Sequence, residues 1–338
     1  MLPVILSFFF HSPKAVWYAE ALKDIQCKYK LIKIAVVWSE KWENPDGTWS
    51  DLRVNSSPEA LDAFRNGISS PYFLSTAPNI HKPDWKGCVV GAFVNAGDTE
   101  DSIDLLAIHR FEILTGKKVG VVPVSFFWGS QNFPISAVRR LVADGKIPMI
   151  RLMPWGPPYE LEKEQAQYSL KRIADGNFDE LLLNIARMLR DVKVPFFITF
   201  GVEPNGNWFP WSGIFNGGGK RDSTGHLPEG PERYVKAFRH VVEVFRKAGT
   251  KNAIWYFQIN SESVPDKEWN SAWNYYPGDD YVDWIGFSVY GAQYADEEWR
   301  SFDEVFDRIY LYMTRRFPEK PFMICEWGVR ETPSGSRK

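Results

Sequence analysis

Cysteine is scarce in this chain: Cys27, Cys88 and Cys325 are the only three in 338 residues. An odd number at wide spacing excludes a disulfide framework or a zinc ribbon, so all three read as free thiols. Histidine is nearly as rare, and His11, His81, His109, His226 and His240 show no metal-ligand spacing. No metal is expected. No cofactor is expected either, because neither a G-x-S-x-G elbow nor a Walker loop occurs. The glycine run 217–219 before Lys220 lies in a polar stretch and reads as a surface loop. Excess charge is also missing, the net value being −2, which gives no electrostatic pull toward nucleic acid or anionic lipid. No run approaches the roughly 18 apolar residues of a membrane span. The amino-terminal MLPVILSFFF has no Lys or Arg ahead of its apolar stretch and no clear small-x-small cleavage site, so it does not read as an export signal.

What the chain has is apolar and aromatic material: 44% hydrophobic residues, 16% aromatics and 15 Trp. Length alone does not set the number of domains, since α/β barrels use about 250 residues as one. From about residue 88 short apolar runs alternate with amphipathic segments, the signature of repeated strand–helix units around a parallel sheet. Strands are predicted over 88–94, 118–127, 147–153, 195–202, 252–259, 281–289 and 321–326. Helices are predicted over 179–192, 231–248 and 301–316, with Pro231 in a first turn and Gly249 as a stop. Seven strands are one short of a (β/α)8 TIM barrel, and the polar tail after Glu326 has no room for another. Residues 31–38 (LIKIAVVW) supply a buried strand and 58–66 the helix behind it. The fold class is therefore α/β, a barrel of circularly permuted order. Residues 1–75 form the segment that supplies strand eight, 76–338 carry strands one to seven, and the whole is one structural domain.

Two glutamates each end an apolar run amid aromatics: Glu203 in PFFITFGVEPNGNWFPW and Glu326 in PFMICEWG. In the barrel they fall on strands four and seven, at the carboxyl-terminal rim where such folds carry their chemistry. Paired carboxylates do acid, base or nucleophile work on sugars, and the flat faces of Trp208, Trp211 and Trp327 suit pyranose rings. A single strand-end glutamate is more often a solvated or salt-bridged residue; two in matching surroundings reverse that reading. Asp283, Glu262 and Asp279 are rival carboxylates and rank lower, the first lying within a strand and the others in polar loops.

The segment EPNGNWFPW resembles the acid/base segment of glycoside hydrolase family 26, in which Glu is followed by x-Asn-Gly-x-Trp and further aromatics. YYPGDDYVDWIGFSVYG (275–291) resembles the family's sixth-strand region and PFMICEWG its nucleophile strand. WSDLRVNSSPEALDAFRNGISSPYF (49–73) resembles the family's carboxyl-terminal end, as if the tail of one module preceded most of the next. The resemblance implies a retaining β-glycanase with Glu203 as general acid/base, Glu326 as nucleophile and Tyr290 donating a hydrogen bond to Glu326. It implies a β-linked polysaccharide as partner, mannan most often. Trp38 is expected under the cleaved sugar, and Trp155, Trp208, Trp211, Trp255 and Asn205 along the groove. One departure bears on specificity: Val202 stands where the mannanases commonly have His. Mixed-linkage glucan and β-1,3-xylan are the alternative substrates. Secretion is the usual expectation for an enzyme acting on polymers.

LPVILSFFF (2–10) aligns with KPFMICEWG (320–328) and sets Phe8 against Glu326. If residues 2–8 took the seventh-strand place, the barrel would be a non-catalytic carbohydrate binder. If residues 321–326 take it, Glu326 faces Glu203.

Overall fold

The computed structural model describes residues 12–44, 46–94, 103–130, 132–221 and 228–331. Eight parallel strands run in chain order: β1 (Ile32–Trp38), β2 (Cys88–Phe93), β3 (Val121–Phe127), β4 (Ile147–Met153), β5 (Phe196–Phe200), β6 (Ala253–Asn260), β7 (Trp284–Tyr290) and β8 (Phe322–Gly328). Each pairs with the next, and β1 pairs with both β2 and β8, so the ring is closed. The strand in 31–38 thus stands between the last strand and the one starting at Cys88. Counted as in the sequence reading, β1 is the eighth strand, β5 the fourth and β8 the seventh. The seventh-strand place is held by Phe322–Gly328; residues 2–8, with Phe8, lie outside the described residues.

Because both faces of a parallel barrel are covered, its strands read as nearly continuous apolar runs, and this is why they were visible in the sequence. Alternation along each strand still divides the core in two. Ile34, Val36, Val89, Val121, Met149, Phe197, Ile254, Tyr256, Trp284, Met323 and Cys325 fill the inside of the ring. Ile80 and Trp85 close its amino-terminal end, where the Trp284 indole donates to the Ile80 carbonyl. The larger layer, between sheet and helices, takes the alternate residues.

Helices α1 (Pro13–Cys27), α2 (Pro58–Ile68), α3 (Leu105–Thr115), α4 (Ile135–Ala143), α5 (Leu170–Ala174), α6 (Asp179–Arg190), α7 (Glu229–Lys247) and α8 (Phe302–Arg316) form the outer layer. Their ends follow local chemistry: α8 starts with a Ser301/Glu304 capping box, and α2 with Ser57 as cap and Pro58 in its first turn. Pro231 falls in the first turn of α7, and Gly249, at φ +77°, follows its end. α1 is absent from the sequence reading although Ser12–Pro13 marks its start. Trp17 of α1 stacks on Trp327 at 5.7 Å. Trp327 is therefore core behind the sheet, and not a face offered to sugar.

Among the described residues, no helix is long and apolar enough to cross a membrane. None of their His, Cys, Asp and Glu side chains form a group able to hold a metal ion.

Candidate active site

Glu203 and Glu326 open into one cleft of about 1130 Å³ at the carboxyl-terminal rim, bordered by Trp38, Phe93, Trp208, Phe209, Tyr290 and Tyr294 among others. Both are almost wholly buried, at 6% and 7% exposure.

Glu326 is aimed there by a bulge. Phe322 and Ile324 face the helices while Met323 and Cys325 face the ring, so strict alternation would turn residue 326 outward. The register breaks at this point against both neighbours: β7 pairs Phe287 with Ile324 but Ser288 with Glu326, and β1 pairs Ala35 with Ile324 but Val37 with Trp327. One extra residue re-aims the carboxyl into the mouth of the barrel. There it accepts three hydrogen bonds. Arg151 Nη1 (2.6 Å) and Gln258 Nε2 (2.9 Å) reach Oε1, and Tyr290 OH (2.8 Å) reaches Oε2. The Arg151 guanidinium rests 5.4 Å from the ring centre of Trp38 and 5.3 Å from that of Phe93, two rings stacked at 3.8 Å. Its charge is thus held against flat aromatic faces as well as against the carboxylate.

Glu203 follows β5 on a turn that leaves it at φ +54°, a left-handed conformation uncommon for a side chain of this size. The strain is held by its own N–H donating to the Gln258 carbonyl (3.0 Å) and by the Gly206 N–H donating to its carbonyl (3.0 Å). Trp208 folds back so that Nε1 donates to Oε2 at 2.7 Å. A Cβ on residue 206 would stand 2.4 Å from the Trp208 ring, so the fold-back requires Gly206. Burial, and then the charge of Glu326, push the Glu203 carboxyl up to about 8, against weaker opposing effects of Ser288, Trp208 and Arg151. At neutral pH one carboxyl holds a proton while the other sits in an ion pair.

The predicted groove residues separate. Trp38 and Trp208 line the cleft, and Tyr290 meets Glu326. Trp155, Trp211, Trp255 and Asn205 do not line it. Trp255 shares strand parity with Phe257, and both point to the helix layer, Trp255 packing against Phe238 and Phe245 of α7. Trp211 is 1% exposed, donates to the Val202 carbonyl and stacks on Phe209 at 4.5 Å. Trp155 packs edge-on to Phe127, Phe209 and Trp211. Asn205 is fully buried and acts as a peptide mimic: its amide donates to the Asn260 carbonyl and its Oδ1 accepts from the Asn260 N–H, both at 2.9 Å. It fastens the acid-bearing loop to the loop after β6. Asp283 caps the Trp255 N–H, Glu262 pairs with Arg300 on the cleft rim, and Asp279 meets Tyr276 and Lys320. Arg151, Gln258 and Ser288 were not singled out by sequence reasoning. Their only signal was a polar residue at inward parity in an apolar strand.

Flat rings beside two unlike carboxyls on the rim of a parallel barrel are the equipment for cleaving bonds between sugars, and the class so defined is that of the glycoside hydrolases. The model of glycosyl hydrolase family 26 matches residues 162–313. Endoglucanase H of Acetivibrio thermocellus is 29% identical over 249 residues, 72% of this chain and 24% of that protein. A mannan endo-1,4-beta-mannosidase of Bacillus subtilis is 24% identical over 293 residues, 84% of this chain and 69% of that protein. The chain thus spans about a quarter of the endoglucanase's length and about two thirds of the mannosidase's. Among solved structures, Bacillus subtilis mannanase man26 aligns with a TM-score of 0.46 at 16% identity, covering 68% of this chain and 77% of that one. The β-mannanase of a symbiotic protist of the termite Reticulitermes speratus gives 0.47 at 14%, covering 91% and 78%. Over residues 162–313 the chain is thus similar to glycosyl hydrolase family 26.

Proposed function

We propose that this protein is a retaining endo-β-glycanase acting on a β-linked polysaccharide of the 1,4-mannan type. The observation that carries this reading is the opposition between the two buried carboxyls: Glu203 pushed up to about 8 and bonded by Trp208, and Glu326 paired with Arg151 and further bonded by Gln258 and Tyr290. In the first step an oxygen of Glu326 attacks the anomeric carbon as the glycosidic C–O bond breaks, and Glu203 gives its proton to the leaving oxygen. In the second, Glu203 takes a proton from water, which attacks the same carbon and releases Glu326 from its ester. Tyr290 and Arg151 orient the nucleophile, and Trp38 and Trp208 offer stacking faces to the sugars on either side.

A second backbone, glucan in place of mannan, is favoured by Val202. This residue, where the mannanases commonly carry His, is 1% exposed and packs with the core behind the sheet. The endoglucanase relative supports the same alternative.

Release of reducing ends from mannan, mixed-linkage glucan and β-1,3-xylan, with the anomer of the first product read by NMR, tests the proposal. Retention of configuration is expected; inversion would sink the double displacement. Glu203→Gln and Glu326→Gln should each lower turnover by about 100-fold or more with folding retained. kcat/KM should fall above about pH 8, where Glu203 loses its proton.

A further inference from the structure

The rim loops that follow the two neighbours of the nucleophile strand carry aromatic side chains that the site described above does not use. β1 and β7 both pair with β8, which holds Glu326, whereas Glu203 and Trp208 follow β5. Trp42 comes four residues after Trp38 of β1, and Tyr294 four residues after Tyr290 of β7. Both line the same cleft as the two carboxyls. Trp42 is half-buried and Tyr294 is 43% exposed, so each keeps open surface there. Hydrogen bonds fix their positions. Trp42 belongs to an antiparallel hairpin, Lys41–Glu43 against Trp49–Asp51, in which it pairs with Ser50. Paired residues of a hairpin project from one face, so Trp42 stands beside the Ser50 side chain. The buried Ser50 hydroxyl accepts from Asn44 Nδ2 at 3.0 Å and donates at 2.7 Å to the carbonyl of Gln293, the residue before Tyr294. The Tyr294 N–H donates to Glu297 Oε2 at 3.0 Å, and the Leu52 N–H donates to the Glu40 carbonyl at 2.9 Å and closes the base of the hairpin. The two loops are thus stitched together, and their rings are held in place before any ligand arrives.

We propose that Trp42 and Tyr294 form a sugar subsite on the side of the cleft that keeps the glycone, where they hold a pyranose further from the scissile bond than the one at Glu326. The proposal rests on the double-displacement reading, in which the glycone stays on Glu326 and the leaving group departs past Glu203. Topology then assigns the side. Both rings stand on loops of the strands that flank Glu326, so they meet the part of the chain that is retained. Their flat faces suit the apolar face of a pyranose. A contact remote from the reacting carbon supplies binding that a longer substrate can use in the transition state and a truncated one cannot. The ligand class is therefore a β-linked chain with at least two sugars on the glycone side.

The test uses 4-nitrophenyl β-1,4-manno- and β-1,4-gluco-oligosaccharides with one to four sugars, so that the leaving group stays constant while the glycone grows. In the parent, kcat/KM should rise with length. Trp42→Ala should cut the gain between one sugar and four by about tenfold, and Trp42→Phe, which keeps a flat face, should restore most of it. Trp49→Ala is the control, because Trp49 stands on the opposite face of the hairpin and outside the cleft lining. It should leave the gain as in the parent. An undiminished gain in Trp42→Ala overturns the proposal, as does an equal fall in Trp49→Ala or a parent that gains nothing from added sugars. If Trp42→Ala does not fold, Tyr294→Ala must show the fall, and an unchanged gain there overturns it equally. A parent that cleaves none of the glycosides would sink the functional reading. Calorimetric titration of mannotetraose and cellotetraose into Glu326→Gln, with and without Trp42→Ala, would then decide the subsite: binding about tenfold weaker in the double variant supports it, and binding that is equal or absent in both overturns it.

Discussion

A single carboxyl carries opposing demands at Glu203, since the burial that keeps its proton on also burdens the fold. Between about pH 4.5 and 8 the native state holds a proton that the unfolded chain has released, so this group makes stability fall as pH rises through that window. Glu203→Gln removes the effect. The inactive variant should unfold at a higher temperature than the parent at pH 8 by roughly 1–3 kcal/mol of stability, with the gap closing toward pH 4.5. Scanning calorimetry at both pH values checks this, and a constant gap would refute it. Arg151 works in the other direction, as the cation buried against Glu326. Arg151→Met leaves that carboxylate without its counter-ion and should cost about 3–5 kcal/mol in urea unfolding. The sequence made the two glutamates legible because each ends an apolar run. It hid Arg151, Gln258 and Ser288, because a polar residue inside a strand declares its role only once inward and outward parity are known. For the same reason Trp255 reads as ligand-facing when it is core.

Strands and helices were legible for a different reason. Parallel strands covered on both faces leave uninterrupted apolar runs, and α7 and α8 show a clear apolar stripe. What the pattern could not show is the bulge in β8, since an inserted residue leaves composition and periodicity almost unchanged over so short a strand. Its effect is to set parity. Deleting Cys325 removes the extra residue and leaves Glu326 directly after Ile324, opposite Ser288, so strict alternation is restored with Glu326 still turned into the barrel. Turnover should persist, and the fold should lose about 1–3 kcal/mol through the space the buried Cys325 leaves inside the ring. Activity and thermal unfolding measured together would show it; a folded but inactive deletion variant would mean that the bulge does more than set parity.

At the scale of the molecule, α1, the 51–56 loop and the segment after β8 meet at one seam. Ser12 and Ser56 donate to Glu331, and the buried Lys14 ammonium donates to the carbonyls of Asp51 and Arg53. Burial brings Lys14 down to about 7 against the opposing pull of Glu331 and Asp51. Between about pH 7 and 10.5 the unfolded chain holds a proton that the native state has lost, so here stability rises with pH. Lys14→Met should flatten that rise, which guanidinium titrations at pH 7 and 10 would detect; an identical pH dependence in the variant would exclude Lys14 as its source. The pairing of β1 with β8, Ile32 against Phe322, spans most of the chain. A contact of such sequence separation has the largest loop entropy to overcome, and ring closure belongs to the slow end of folding. The strand that must wait for it is the one carrying Glu326, so the two proposed catalytic carboxyls come to face one cleft only with the final stitch.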